Sequence, residues 1–236
     1  MNQNPSFMSR SCHLRPITLA LGVAVALLLS APDQVDAQSA NVFGAGWSAG
    51  VTHVTDVNAD APNGAQAIEP GTGFVVGLYV DRWFGTIGRL GVRTQASYQQ
   101  PRFDWSDGRR KIDTGSADLS VLFRPILPSE GNVLPFLTAG VGGIWYDLGT
   151  SQTPTYAEAD AYHDGRSRIL PTAVVGLGVD LPFPMEWNRL PVSLRVEAAD
   201  YITINSPLRS LESGDRHGAV HNLRFSIGLY STLRRR

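Results

Sequence analysis

The sequence predicts an all-β protein: an eight-stranded antiparallel up-and-down β-barrel that spans a membrane, preceded by a cleaved signal peptide. Three observations lead to this fold class. Apolar and polar residues alternate in segment after segment, the strand candidates are long enough to cross a bilayer, and the links between them are alternately short and long. Each observation is typical of transmembrane barrels rather than of soluble β-sandwiches.

The alternation is clearest in Leu90–Tyr98. Its even-numbered residues are mostly apolar, whereas Gly91, Arg93, Gln95 and Ser97 fall between them. Because strand side chains point alternately to opposite faces, one face is apolar and the other is polar. An apolar outside around a polar inside is the pattern of a membrane barrel. The same phase runs through Ala117–Arg124, Val192–Tyr201 and Leu223–Tyr230.

Eight segments qualify as strands, and most of them contain ten or more residues. A tilted strand needs about 9–11 residues to cross a bilayer, whereas strands of globular proteins usually have about 5–6. The length therefore favours a membrane barrel. The candidates are Val42–Thr55, Gly73–Arg82, Gly88–Gln100, Asp113–Pro125, Leu134–Leu148, Ile169–Leu181, Val192–Ile202 and Gly218–Ser231.

The links divide into two classes. Outer-membrane barrels have short periplasmic turns and longer extracellular loops. The short links are Trp83–Ile87, Ile126–Val133 and Pro182–Pro191. The longer, more polar links are Asp56–Thr72, Pro101–Ile112, Gly149–Arg168 and Thr203–His217. With a periplasmic N-terminus, the sequence predicts that all four longer loops are extracellular.

Residues 1–37 have the organisation of a secretory signal peptide. Arg10 and Arg15 precede the apolar core Ile17–Ala31. The residues Val35–Ala37 have side chains of small or medium size, which predicts cleavage by signal peptidase before Gln38. The core is shorter than the roughly 20 residues of a spanning helix, which favours cleavage over a membrane anchor. Residues 38–236 then form one barrel domain, exported through the inner membrane to the bacterial outer membrane.

Composition excludes several classes of function. The net charge is −1 without a basic block, which argues against nucleic-acid binding. Charged residues make up 17% of the chain, below the roughly 25% of soluble domains, and Lys111 is the only lysine. The single cysteine, Cys12, lies in the leader, so the mature chain has no disulfide and no thiolate site.

The polar phase carries charges, which predicts a network inside the barrel. An eight-stranded barrel is filled by side chains, and a buried unpaired charge is very costly. Hairpin pairing brings Arg93 level with Asp118, and Glu197 level with Arg224. We interpret the network as a structural plug; a gated pore or proton path is the alternative. The inward set is Arg89, Arg93, Asp118, Arg124, Asp180, Arg195, Glu197 and Arg224.

Aromatic residues near the strand ends are expected to form interfacial girdles. On the side of the short turns these are Trp83, Phe84, Phe123, Phe136, Trp187 and Tyr230. On the side of the longer loops they are Tyr98, Phe103, Trp105, Trp145 and Tyr201.

The segments Leu134–Gly143, Leu194–Tyr201 and His221–Leu229 resemble the small outer-membrane β-barrel family that includes the OmpA transmembrane domain. The resemblance covers the whole mature chain. It implies an eight-stranded barrel of the Gram-negative cell envelope, surrounded by outer-membrane lipids and inserted by the outer-membrane assembly machinery. Members of this family often end on an aromatic residue, whereas here Tyr230 is followed by Ser231–Arg236.

The leading hypothesis is a non-enzymatic, monomeric, porin-like or structural barrel with at most a narrow channel and no catalytic, cofactor or metal site. One alternative is a lipid A-modifying or lipid-hydrolysing enzyme, which would need outward-facing serine and histidine at one level of the outer rim. His217 follows Glu212, Ser213 and Asp215, so the residue types of a catalytic triad are present there. His163 lies in an acidic loop whose carboxylates and imidazole could hold a metal ion weakly. A solvated loop explains both groups more simply. Another alternative is a soluble periplasmic lipocalin-like binding barrel, with the phase inverted.

Overall fold

The computed structural model describes residues 42–55, 57–59, 66–68, 71–85, 88–105, 108–126, 133–147, 168–187, 190–204 and 219–234. The predicted signal peptide lies outside these residues, and so do His163 and His217. Signal-peptide cleavage and the weak metal and triad alternatives in those two loops therefore stay predictions.

Eight long strands form a closed antiparallel barrel. They are β1 (Val42–Val54), β4 (Thr72–Phe84), β5 (Leu90–Gln100), β8 (Asp113–Phe123), β9 (Leu134–Asp147), β10 (Arg168–Trp187), β11 (Leu190–Thr203) and β12 (Val220–Arg234). Each long strand pairs with the next long strand along the chain, and β1 closes the barrel by pairing with both β12 and β4. The labels β2, β3, β6 and β7 belong to short strands outside the barrel. The predicted fold class is confirmed.

The two ends of the barrel differ in their connections. At one end, the turn end, the strands are joined by the short links 85–89, 124–133 and 188–189. At the other, the loop end, two links contain small hairpins. These are β2 (Val57–Ala59) with β3 (Gln66–Ile68), and β6 (Arg102–Trp105) with β7 (Gly108–Lys111). The largest departure from prediction is β10, which continues past Leu181 to Trp187 through a register shift between Pro182 and Glu186.

The outer face of the barrel is apolar and the inner face is polar. Leu78, Val141 and Leu177 are 57%, 68% and 61% exposed on the outside. Arg93, Asp81 and Arg195 are at most 1% exposed and point into the lumen. A protein that folds in water buries most of its large apolar side chains. An exterior that exposes them therefore fits lipid and not water. The lipocalin-like alternative, which requires the opposite phase, is wrong.

The inside of the barrel combines polar and apolar residues. Two apolar clusters lie among its charged and polar residues. The apolar cluster at the turn end consists of Trp83, Leu122 and Phe136, with Val42 against them. We call the cluster nearest the loop end the apolar cap; its buried members are Val54, Ile112, Ile144, Tyr146, Val174, Tyr201 and Val220.

The described part of the chain contains no helix that is long and apolar enough to cross a membrane.

Candidate functional site in the barrel interior

Arg195 is the centre of the polar interior. Its Nε and Nη2 donate to the two carboxylate oxygens of Asp180 at 2.6 and 2.9 Å, and its Nη1 donates to Asp81 at 2.8 Å. Asp81 also accepts from Nε of Arg93 at 2.8 Å. Paired, bidentate geometry of this kind is the strongest form of arginine–carboxylate contact and satisfies charges that water cannot reach.

The ion pairs continue across the lumen. Arg93 Nη1 donates to both oxygens of Glu197, at 2.9 and 2.8 Å. Arg93 lies on β5 and Glu197 on β11, which are four strands apart in a ring of eight and therefore on opposite walls. Arg124 Nη2 donates to Asp180 at 2.8 Å. We call the resulting set of three arginines and three carboxylates the charged network: Asp81, Arg93, Arg124, Asp180, Arg195 and Glu197.

Aromatic rings surround the arginines of this network. The guanidinium of Arg195 lies 4.0 Å from the ring centroid of Tyr230 and 4.7 Å from that of Phe136. The guanidinium of Arg124 lies 3.7 Å from the centroid of Trp83, whose Nε1 donates to the Tyr230 hydroxyl at 3.0 Å. Cation–π contacts compensate part of the lost hydration, and they gain strength where water is excluded.

The structure places seven of the eight predicted interior residues in the lumen. The exception is Arg89, which is exposed at the turn end. Gly85 and Gly88 have positive φ values of 76° and 56°, so the chain is still turning there and β5 begins only at Leu90. The alternation does not extend to Arg89, and its predicted interior position is wrong.

The ion pairs also differ from the predicted hairpin pairs. Arg93 pairs with Asp81 and Glu197 rather than with Asp118, and Arg224 donates to two serines rather than to Glu197. Sequence reasoning omitted Asp81 altogether. Its signal was the alternation of β4, in which Val75, Gly77, Tyr79 and Asp81 share the inward phase.

The predicted aromatic girdles are only partly correct. Phe84, Phe123 and Tyr98 are exposed on the outside of the barrel. Four other members of the predicted girdles are buried and belong to the interior, where each ring makes a cation–π contact with an arginine of the lumen. These are Trp83, Phe136, Tyr201 and Tyr230.

Two histidines lie on the outer face near the loop end. Nδ1 of His221 is 2.7 Å from Asp200, and Nδ1 of His53 is 3.3 Å from the hydroxyl of Thr72. Within the described residues, neither ring has a serine among its hydrogen-bond partners, so the serine–histidine arrangement that a lipid-modifying enzyme would need is not assembled there. The same residues contain no group of three or more His, Cys, Asp or Glu that could hold a metal ion.

Comparison with known proteins finds similarity at the level of the fold. No family model matches the chain, and no curated protein matches it. Among solved structures, the outer-membrane protein OprG from Pseudomonas aeruginosa superposes with a TM-score of 0.51 at 14% identity, covering 85% of this chain and all of that one. The chain folds as a small outer-membrane β-barrel. Neisserial surface protein A is also similar, with a TM-score of 0.49, 12% identity and coverage of 81% and 97%.

This fold and the apolar exterior assign the barrel to the bacterial outer membrane. The exterior is the decisive physical feature, because apolar residues such as Leu78, Val141 and Phe225 are more than half exposed on it. Lipid tails supply that cover in an outer membrane. The barrel is closed, so each of its eight long strands pairs with a neighbour on both sides.

Tight packing around Phe136 makes Gly178 sensitive to substitution in this outer-membrane barrel. A Cβ at Gly178 would meet the Phe136 ring and approach the Val196 carbonyl to 2.8 Å. Because that ring also contacts the guanidinium groups of Arg93 and Arg195, we expect Gly178→Ala to lower the free energy of unfolding by about 1–3 kcal/mol. Urea unfolding in lipid vesicles measures the loss.

Gly143→Ala is the matched control, because its added Cβ would meet only ordinary contacts, the nearest being Ile169 at 3.4 Å. We expect this control to change stability by less than about 0.5 kcal/mol. Equal losses in the two variants would contradict the packing described around Phe136.

Proposed function

We propose that this protein is a non-enzymatic, structural outer-membrane barrel whose lumen is plugged by the charged network. The observation that carries the proposal is the Arg93–Glu197 pair, which joins β5 to the opposite wall at β11 with two short hydrogen bonds. A side-chain bridge across the full width of an eight-stranded barrel leaves little space for ions. The buried side chains of the apolar cap fill the lumen a second time, nearer the loop end.

In this proposal the turn end lies in the periplasm and the loop end at the cell surface. The supporting argument is the difference in link length, because extracellular loops of such barrels are longer than periplasmic turns. The barrel acts as a monomer surrounded by outer-membrane lipids and reaches the membrane through the assembly machinery. Its surface role then belongs to the four longer links at the loop end.

Planar-bilayer recording tests the plug. Purified wild-type protein should insert without producing unitary current steps in 1 M KCl. The double variant Arg93→Ser/Glu197→Ser removes the bridge between opposite walls and still leaves Asp81 paired with Arg195. We expect it to conduct more than the wild type, whereas Arg89→Ser, which changes an exposed arginine, should stay silent. Steady unitary steps from the wild type would contradict the plug and favour a narrow channel.

A further inference from the structure

The hairpin β6–β7 continues the β5–β8 ladder beyond the barrel. Gln99 lies opposite Thr114 in the β5–β8 ladder, and Arg102 lies opposite Lys111 in the β6–β7 ladder. Both chains advance by the same number of residues between these two pairs, so no bulge interrupts the alternation of faces. Arg102 is therefore in the same phase as Tyr98, on the outer face, and like Tyr98 it is exposed.

Arg102 and Lys111 form a like-charge pair at the closest kind of cross-strand position. In the preceding pair, the Ile112 N–H donates to the Pro101 carbonyl at 3.1 Å. Hydrogen-bonded and non-hydrogen-bonded pairs alternate along an antiparallel ladder, so Arg102 and Lys111 form a non-hydrogen-bonded pair, in which the Cα atoms are about 4.5 Å apart. Like charges directly opposite each other destabilise a ladder. An anion bound at both positions removes this cost.

The pair lies just above the level at which the outer face becomes polar. Apolar residues such as Leu119 are exposed below this level. Above them, the Tyr98 hydroxyl and the Gln100 amide donate to the Asp113 carboxylate at 2.6 and 2.7 Å. Since a carboxylate on the outer face is costly in hydrocarbon, this cluster marks the edge of the bilayer core. Arg102 is four residues beyond Tyr98, which is about 13 Å along a strand and about 10 Å along the membrane normal.

That height corresponds to the lipid headgroups. The headgroup layer of each leaflet is about 5–8 Å thick, so the pair lies at its outer edge. Arginine and lysine have long side chains that reach back toward an interface. A cationic pair at this position is therefore continuous with the lipid-facing surface of the barrel.

We propose that Arg102 and Lys111 bind a phosphate group of an outer-leaflet lipid. Two adjacent cations match the several acceptor oxygens of one phosphate. The neighbouring acids have other partners, because Asp113 accepts two hydrogen bonds and Asp104 lies opposite Arg109 in the next outward pair. That next pair is of mixed charge, so the site suits one phosphate and not an extended polyanion. The inference rests on the proposed orientation, which places the loop end in the outer leaflet.

Native mass spectrometry of the purified protein in detergent tests the site, with lipid A as the probe in its diphosphoryl and its fully dephosphorylated form. The wild type should bind the diphosphoryl form at least about tenfold more tightly. Arg102→Gln/Lys111→Gln should lose this preference, whereas Arg102→Lys/Lys111→Arg keeps both charges and should retain it. Arg89→Gln, which removes an exposed arginine at the turn end, should also retain it.

Two results would overturn the site: equal binding of both lipid forms by the wild type, or a preference that survives Arg102→Gln/Lys111→Gln. Displacement of the lipid by an equal concentration of inorganic phosphate would overturn a lipid as the occupant. A mobility shift on boiling verifies that each variant is folded. Binding in detergent depends neither on the orientation of the barrel nor on its conductance, so a failure here is distinct from a failure of the proposed function.

Discussion

Replacing Arg195 with methionine should lower the free energy of unfolding by about 3–5 kcal/mol, as expected when one partner of a buried ion pair is removed. The side chain makes three hydrogen bonds to Asp81 and Asp180, all between groups at most 1% exposed. Methionine fills much of the volume but leaves both carboxylates short of donors. Urea unfolding of the barrel in lipid vesicles, followed by tryptophan fluorescence, measures the loss.

Arg89→Met is the control for this prediction. It also removes one positive charge, but from an exposed position outside the lumen. We expect a change within about 0.5 kcal/mol. If Arg195→Met cost no more than this control, the charged network would not hold the interior together as described.

Placing arginine on the outer face should be costly only at mid-membrane depth. Val141 lies midway along β9 and is 68% exposed, so Val141→Arg should lower stability by about 2–4 kcal/mol in vesicles. The reason is that the charge must leave water and enter lipid. Ile169 is similarly exposed, at 72%, but lies near the loop end of the neighbouring strand β10. Ile169→Arg should therefore cost about 0–1 kcal/mol, as at an interface.

The comparison of these two positions is informative because both are exposed, apolar and on paired strands. A similar small cost at both would contradict burial of the outer face in lipid. A larger cost at Ile169 than at Val141 would contradict the level at which the bilayer surrounds the barrel.

The strands and their faces could be predicted from the sequence because each depends on local alternation. Leu90–Gln100 and Asp113–Phe123 lie within two residues of their predicted bounds, and Arg93 and Asp118 point inward as the phase required. Alternation fails where the chain turns, which explains the error at Arg89. It also fails at a register shift. The shift between Pro182 and Glu186 interrupts the alternation, so the sequence predicts an end of β10 at Leu181 although the strand continues to Trp187.

Only some partners of the interior charges follow from hairpin pairing: Asp81 lies opposite Arg93 on neighbouring strands, and so does Asp180 opposite Arg195, whereas the Arg93–Glu197 pair does not follow from it. Hairpin pairing compares only strands that are adjacent along the chain. Closure of the barrel places β5 and β11 on opposite walls, so that their side chains meet in the lumen.

Asp81 was overlooked because Arg82 follows it at once, so a charge appears in either phase at that end of β4. Asp81 points into the lumen, whereas Arg82, in the opposite phase, is buried beside the rings of Phe43 and Phe84.

The most direct test of the account is heat-modifiability of the protein in fractionated cell envelopes, because a lipid-embedded closed barrel resists SDS until it is boiled. Outer-membrane samples are run on SDS gels with and without boiling. The account predicts a band confined to the outer-membrane fraction that shifts in mobility on boiling. A protein recovered in the soluble periplasm, with the same mobility in both lanes, would contradict it.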